Sequence, residues 1–211
     1  YFAWARGGLA FASEIKALLA LPGFRATLSP AAAYHYLTFM AAPAPLTMFE
    51  GVYKLPAGWL MRVDADGAAQ ARRYFAPWPS NALDTLPEKE REARVREVLR
   101  ASVRRQLLAD VPVGLFLSGG VDSTALLAIA SEVNGAPPDT FSVGFDHETE
   151  LDETAIAAQI AHRYGAKHTE VRIGAAEVIT RIEQLVREQD EPLADWVCLP
   201  LRAVAHAAHE A

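Results

Sequence analysis

The chain has 211 residues, and its 51% hydrophobic and 22% charged content excludes a disordered or fibrous protein. Its 20 basic and 26 acidic side chains give a net charge of −6, so we expect no nucleic-acid partner. The single cysteine, Cys198, leaves no thiol framework for an intrachain disulfide or a cysteine zinc site.

Proline and glycine punctuate residues 1–87, which are predicted to form short strands and helices. The predicted elements are a strand at 9–12, a helical turn after Ser13, a helix from Ser29-Pro30 to Tyr36, strands at 51–55 and 58–63, and a tight turn at Asp66-Gly67 into 71–75. We expect the strands at 51–55 and 58–63 to form a hairpin across Pro56-Ala57.

From Glu88 onward, short apolar runs alternate with helical patterns. The first helix carries arginines, but glutamates lie between them, which indicates a solvated face rather than a nucleic-acid patch. The elements predicted after it are strands at 113–117, 140–145 and 168–173 and helices at 124–133, 153–164 and 175–189. Strands that alternate with helices in this way predict an α/β fold with a parallel sheet.

The most informative segment runs from Ser118 to Thr124, directly between the first buried strand and its helix. Two glycines, Gly119 and Gly120, let the backbone approach a phosphate closely, and hydroxyl groups add donors. A helix N-terminus beyond the end of a parallel strand is a favourable place for an anion. Because the segment lacks the lysine of a Walker loop, it predicts a phosphate cradle of another kind.

The sequence Ser-Gly-Gly-Val-Asp-Ser, residues 118–123, resembles the pyrophosphate-binding loop of ATP pyrophosphatases. The longer stretch from Asp110 to Ser123 resembles the glutamine-dependent asparagine synthetase family. Further segments that resemble this family are Phe11-Ala-Ser-Glu-Ile-Lys-Ala-Leu, Thr47-Met-Phe-Glu-Gly-Val-Tyr-Lys-Leu-Pro-Ala-Gly, Thr140-Phe-Ser-Val-Gly-Phe, Leu151-Asp-Glu-Thr and His168-Thr-Glu-Val. The resemblance therefore extends over nearly the whole chain.

The resemblance implies a parallel sheet with helices on both faces, of the ATP pyrophosphatase or adenine nucleotide alpha-hydrolase type. A small β-rich remnant of an N-terminal nucleophile glutaminase domain would precede it. The implied domains are the end of the glutaminase domain at 1–20, a connecting segment with a hairpin at 21–87, and the first part of the synthetase domain at 88–211.

The resemblance also implies the reaction: ATP activates a carboxylate, usually that of aspartate, as an acyl adenylate, and ammonia from glutamine then displaces AMP. The small-molecule partners would be ATP, the carboxylate and ammonia. The implied ATP-binding residues are Leu117 and Val143 through their backbones, Gly144 beside them, and Ser118, Gly119, Gly120 and Ser123 at the phosphates. Asp122 would bind the magnesium ion on pyrophosphate, since magnesium prefers carboxylate and phosphate oxygens.

The sequence departs from the family pattern at its ends and near Trp196. Position 1 is Tyr1 instead of the catalytic cysteine of the glutaminase, and the second phosphate loop of the family is absent. We therefore expect a fragment without synthetase activity of its own. Trp196-Val197-Cys198 replace the small hydroxyl residues that commonly follow Asp190-Glu-Pro-Leu-Ala-Asp, which keeps a sugar acid or another carboxylate of a surface polymer as an alternative acceptor.

Two other classes remain as alternatives: a nucleotide-binding remnant without chemistry, and another ligase with a pyrophosphate loop. Ligases that make argininosuccinate or guanylate, or that modify tRNA, lack the segment from Phe11 to Gly58. No run approaches the roughly 18 apolar residues of a membrane span, so we expect no membrane partner. The lone cysteine favours a cytoplasmic location, and a homodimer is one assembly to be tested.

Overall fold

The structure is a computed structural model that describes residues 1–5, 8–77, 86–146, 152–195 and 197–211. Its contacts divide the chain into unit 1, residues 1–79 with 183–195, and unit 2, residues 80–182 with 196–211. The strands are β1 (Phe2–Ala5), β2 (Gly8–Phe11), β3 (Val52–Tyr53), β4 (Trp59–Val63), β5 (Ala69–Arg73), β6 (Leu115–Phe116), β7 (Thr140–Phe145) and β8 (His168–Ile173). The helices are α1 (Ile15–Leu19), α2 (Pro30–Phe39), α3 (Glu88–Gln106), α4 (Val121–Asn134), α5 (Thr154–Tyr164), α6 (Ala175–Glu188) and α7 (Cys198–Glu210).

Unit 1 contains a three-stranded antiparallel sheet in the order β2-β1-β3. One face of it packs on the short helix α1. The centre of this core consists of four buried side chains: Ala3, Ile15, Leu18 and Val52. Because β1 lies in the middle of the sheet, the first residues of the chain are held by strands on both sides.

The predicted hairpin between residues 51–55 and 58–63 is wrong. Instead β3 pairs with β1, and β4 pairs with β5. The physical reason lies in the turns. Gly67 has a φ of +85° and donates its N–H to the carbonyl of Asp64, which gives β4 and β5 a tight connection. Pro56 has no N–H to donate to a ladder between β3 and β4.

Residues 183–195, which comprise the end of α6 and the segment after it, belong to unit 1 by their contacts. The carboxylate of Asp190 accepts the Ile15 N–H at the start of α1, at 2.5 Å, where the helix dipole favours a negative charge. Glu191 accepts the Met48 N–H at 2.6 Å and forms an ion pair with Lys54, also at 2.6 Å. Two carboxylates therefore hold this segment against residues far away in the sequence.

Unit 2 contains a three-stranded parallel sheet in the order β6-β7-β8. Thr140 is the register partner of Leu115 on one side and of His168 on the other. The helices α4 and α5 connect consecutive strands, as parallel pairing requires. The α/β class with a parallel sheet is thus confirmed.

Helices cover both faces of the central strand β7. Gly144 faces α5, since a Cβ on it would lie 2.8 Å from Thr154 Cγ2. Phe141 and Val143 alternate with Gly144 along the strand and line a cavity together with Val204 of α7. A second core of buried side chains lies between the sheet and helices α4 and α5: Leu117, Leu127, Ala157 and Ala161.

Across the ranges given above, the structure contains no helix that is long and apolar enough to cross a membrane.

Candidate functional site

The loop from Ser118 to Gly120 joins the end of β6 to the start of α4. Gly120 is the N-cap residue of α4, and no side chain caps this helix. The first-turn N–H groups of a helix have no partner within the helix, and its dipole places partial positive charge there. The loop therefore leads into a helix end that can bind an anion.

Gly119 is required at its position by backbone conformation and by packing. Its φ is +81°, which L-residues rarely adopt. A Cβ at Gly119 would lie 3.0 Å from Ile156 Cγ2 and 3.3 Å from the Ala157 nitrogen. Gly120 differs, because its φ is −69° and a Cβ there would meet only the Ser118 hydroxyl, at 3.4 Å. The first glycine thus allows the loop to pack against α5, whereas the second leaves the backbone bare on the open side.

The hydroxyl groups of the loop bind one another and the backbone. Ser118 Oγ and Ser123 Oγ lie 3.1 Å apart, and Ser118 Oγ accepts the Gly120 N–H at 3.3 Å. The Thr124 hydroxyl donates to the Gly120 carbonyl at 2.7 Å. The serine contacts are long for hydrogen bonds and half-exposed, so phosphate oxygens could replace them at little cost.

A cavity of about 400 Å³ adjoins the loop, at the carboxyl end of the sheet. It contains three of the predicted ATP-binding residues: Leu117, Ser118 and Val143. Helix α7 supplies one wall through Val197, Pro200, Leu201 and Val204, and β7 supplies aromatic rings from Phe141 and Phe145. Its size and its mostly apolar lining suit a small organic ligand with a flat ring.

The hydrogen-bond ladder between β6 and β7 stops at the edge of this cavity. Its last bond joins the Leu117 N–H to the Phe141 carbonyl at 2.8 Å, and the paired register ends at Phe116. Beyond this point the chain turns into the loop, so within the described residues no strand pairs with the β6 side of Val143. The carbonyl of Leu117 and the backbone groups on this side of Val143 can therefore face a ligand instead of a neighbouring strand.

Asp122 lies in the first turn of α4, exposed to solvent. Its carboxylate has no hydrogen bond or ion pair with another described residue. Among the residues that the structure covers, no three His, Cys, Asp or Glu side chains gather in a group that could hold a metal ion. A cation at Asp122 would take its other oxygen ligands from the bound phosphates or from water.

Gly144 is buried behind the cavity wall, and its missing side chain leaves room for Asp152. That carboxylate accepts the Thr154 N–H at 3.0 Å and the Thr154 hydroxyl at 2.6 Å. Arg172 adds an ion pair at 3.0 Å. The hydrogen bonds from Thr154, together with Arg172, lower the pKa of the Asp152 carboxyl.

The sequence places His168 at the start of a predicted strand, but the polar contacts of its ring were not predicted. The imidazole contacts the Thr140 hydroxyl at Nδ1, at 2.9 Å, and the Ser142 hydroxyl at Nε2, at 3.0 Å. The signal that could have found this group is the register of β7 on β8, which pairs Thr140 with His168.

Two sequence interpretations, of Leu151 in its motif and of Trp196 near the acceptor, fall outside the described residues.

Family models match both parts of the chain. The model described as Asparagine synthase matches residues 94–211, and the one described as Glutamine amidotransferase domain matches residues 1–75. The loop and the cavity both lie within the first of these matches.

Individual relatives were found among curated proteins. A Mycobacterium tuberculosis protein, named as a candidate glutamine-hydrolyzing asparagine synthetase, is 36% identical over 100% of this chain and 33% of its own length. Asparagine synthetase [glutamine-hydrolyzing] 1 of Bacillus subtilis is 31% identical over 94% of this chain and 30% of its own length. Amidase chyE of Penicillium rubens is 29% identical over 99% of this chain and 33% of its own length. The chain thus spans about a third of the length of the curated relatives it matches.

Among solved structures, a glutamine-dependent NAD+ synthetase from Acinetobacter baumannii in complex with ADP is 22% identical over 71% of this chain and 28% of that one, with a TM-score of 0.43. The asparagine synthase match covers more than half of the chain. The chain belongs to the asparagine synthase family.

Proposed function

We propose that this chain is part of an ATP-dependent amide ligase of the asparagine synthetase type. The observation that carries the proposal is the uncapped start of α4 beside a largely apolar cavity of about 400 Å³, joined by a loop in which Gly119 has a φ of +81°. A bare helix end suits phosphates, and the cavity suits a nucleoside. A single ligand that satisfies both is a nucleoside triphosphate.

In the proposed complex, the backbone groups of Leu117 and Val143 hold the adenine, with Gly144 behind them. The end of the β6–β7 ladder at Phe141 supports this, because it leaves backbone donors and acceptors at the cavity edge. Adenine presents complementary groups on its edge, and aromatic rings from β7 can contact its face.

The phosphates lie in the proposal along Ser118, Gly119, Gly120 and Ser123. These residues contribute hydroxyl donors and the open backbone before α4. Asp122 holds magnesium in the first turn of that helix, and its exposed carboxylate without a protein partner fits such a role. Magnesium, when bound, offsets the charge of the departing pyrophosphate. The chain's own task is to orient the α-phosphate toward a carboxylate acceptor and to hold the leaving group.

The proposed reaction forms an acyl adenylate and releases pyrophosphate, and ammonia from glutamine then displaces AMP to give an amide. The names of the bacterial relatives favour aspartate as the acceptor. The name of the fungal relative, an amidase, does not specify aspartate, and a sugar acid or another carboxylate of a surface polymer is the second candidate. A nucleotide-binding remnant without chemistry is the third.

Because the chain spans about a third of its relatives' length, we propose that the 211 residues bind ATP without completing amide synthesis. Cys198, half-buried and free, agrees with a cytoplasmic setting for this chemistry, and a homodimer is the assembly we propose to test.

The experiment is calorimetric titration of the 211-residue chain with ATP and magnesium. We expect binding that pyrophosphate competes for, and a loss of about tenfold in affinity in Ser123→Ala, since one hydrogen bond to a charged group is removed. Ser131→Ala is the matched control, because Ser131 lies on the same helix and bonds only to the Leu127 carbonyl. Absence of ATP binding, or binding that pyrophosphate does not affect, contradicts the proposal. With the longer protein, ATP–pyrophosphate exchange that depends on aspartate or on another carboxylate identifies the acceptor.

A further inference from the structure

Glu153 is the one charged side chain among the described residues that line the cavity beside the loop. It is exposed, and it occupies the N-cap position of α5 without making a capping hydrogen bond. Its carboxylate has no hydrogen bond or ion pair with any described residue. The carboxylate is therefore available to a ligand in the cavity.

The neighbouring carboxylate, Asp152, does have partners within the protein. Its oxygens accept two hydrogen bonds from Thr154 and pair with Arg172. Asp152 thus fixes the start of α5, and this leaves Glu153 without a structural task that would explain its position. A charged group at the wall of a mostly apolar cavity costs solvation when a ligand enters, unless the ligand pairs with it.

The position of Glu153 corresponds to the middle of the proposed ligand. Ser118 belongs to both the loop and the cavity wall, so the part of ATP that joins the adenine to the phosphates must pass near it. The first turn of α5 lies against the same loop, since Gly119 packs on Ile156 and the Ala157 nitrogen. The part of ATP between base and phosphates is the ribose, whose hydroxyls are hydrogen-bond donors.

The order of the strands and loops along the chain also indicates that Glu153 lies near the ribose. In βαβ nucleotide folds, the loop after the first strand binds phosphate, and a carboxylate after the second strand accepts a hydrogen bond from the ribose. Here the phosphate loop follows β6, and Glu153 follows β7. We propose that Glu153 is a specificity-determining residue that accepts hydrogen bonds from the ribose hydroxyls, an inference that rests on the proposed ATP site.

The test compares ATP with 2′,3′-dideoxy-ATP, which lacks both hydroxyls, as ligands of the 211-residue chain. We expect the wild-type chain to bind ATP at least about tenfold more tightly, the usual strength of a hydrogen bond to a charged acceptor. In Glu153→Ala the ratio should fall below about threefold, with the affinity for dideoxy-ATP unchanged or increased. Glu153→Gln should keep part of the ratio, because its amide oxygen can still accept one hydrogen bond.

The control is Glu90→Ala, which removes one negative charge from an exposed position on α3 and should keep the wild-type ratio. Thermal melting of Glu153→Ala checks its fold. We expect an unchanged melting temperature, because the Glu153 side chain makes no capping hydrogen bond. If ATP binds and Glu153→Ala leaves the ratio unchanged, the inference is overturned while the proposed function stands. The inference is also overturned if Glu153→Ala binds both nucleotides more tightly by the same factor, because that result shows only repulsion between the Glu153 carboxylate and the phosphates. If the wild-type chain binds neither nucleotide, both proposals fail.

Discussion

His168 on β8 and Thr140 on β7 are register partners whose side chains are joined by a hydrogen bond of 2.9 Å. The Thr140 hydroxyl also donates its single proton to the Lys167 carbonyl, at 3.0 Å. It must therefore accept the Nδ1 proton of His168, and in the neutral imidazole Nε2 then accepts from the Ser142 hydroxyl. Of the two neutral tautomers, the geometry selects the one with its proton on Nδ1.

This arrangement predicts a loss of stability in acid. Burial lowers the pKa of the His168 imidazole, against the opposite effect of Glu170. The unfolded chain takes up a proton near pH 6.5 that the folded chain resists, so the free energy of unfolding falls as the pH drops below that value, by at most about 1.4 kcal/mol per pH unit. Chemical denaturation at pH 7.5 and 5.5 should show a smaller difference in His168→Asn than in the wild type. His209→Asn, which removes an exposed imidazole on α7, should keep the wild-type difference.

Gly119 and Gly120 should respond differently to alanine. Gly119→Ala combines a strained φ with a Cβ 3.0 Å from Ile156, so we expect it to destabilise the protein by about 2 kcal/mol. Gly120→Ala meets only the Ser118 hydroxyl and should change stability by less than about 1 kcal/mol while weakening ATP binding. Thermal melting and calorimetric titration of both variants separate the two effects. Equal stability of the two variants would contradict the packing argument.

Asp122→Asn should weaken ATP binding only when magnesium is present. The amide keeps the shape of the side chain but loses the charge that a hard cation prefers. We expect the affinity of this variant for ATP to fall about tenfold with magnesium and to match the wild type in excess chelator. Asp110→Asn, at an exposed position before β6, is the matched control. An equal loss of affinity with and without magnesium would show that Asp122 acts by some route other than the metal.

The ion pair between Lys54 and Glu191 should contribute to the stability of unit 1. Both side chains are mostly buried, with 22% and 11% exposed, and Glu191 also accepts the Met48 N–H. Glu191→Ala leaves the Met48 N–H without its acceptor and leaves the Lys54 ammonium with the Ala42 carbonyl as its remaining described partner, at a cost of about 3 kcal/mol. The double variant with Lys54→Met should recover part of this loss, as measured by urea denaturation in a double-mutant cycle. Additive losses would mean that the two side chains do not interact.

Local signals made part of the fold predictable. Strands 140–145 and 168–173 have the predicted bounds, because each is an extended run rich in β-branched or aromatic residues that ends before a polar segment or a glycine. The pairing of β1 with β3 was not predictable, since about 50 residues separate the two strands and no local pattern marks such a contact. The partners of Asp190 were equally hidden, at a separation of 175 residues from Ile15.

In the candidate site too, features formed by adjacent residues were predictable, and contacts between residues distant in sequence were not. The loop from Ser118 to Ser123 could be recognised from the sequence, because its glycines and hydroxyl residues are close together in the chain. The wall that α7 adds to the cavity comes from residues about 80 positions later, and only folding brings Val204 near Val143. Sequence patterns therefore identified the loop that the proposal assigns to the phosphates and missed the apolar wall of the cavity beside it.

The placement of residues 183–195 in unit 1 has a consequence for synthesis on the ribosome. The first 79 residues leave the exit tunnel early, yet the carboxylates that meet Ile15, Met48 and Lys54 are translated more than 100 residues later. At about 5–20 residues per second, about 10 to 35 seconds pass between the synthesis of Ile15 in α1 and that of Asp190. During that interval Lys54 has no carboxylate from this segment, so the nascent first unit depends on its apolar core and its strand pairing, and it is more accessible to chaperones until residues 183–195 have been made.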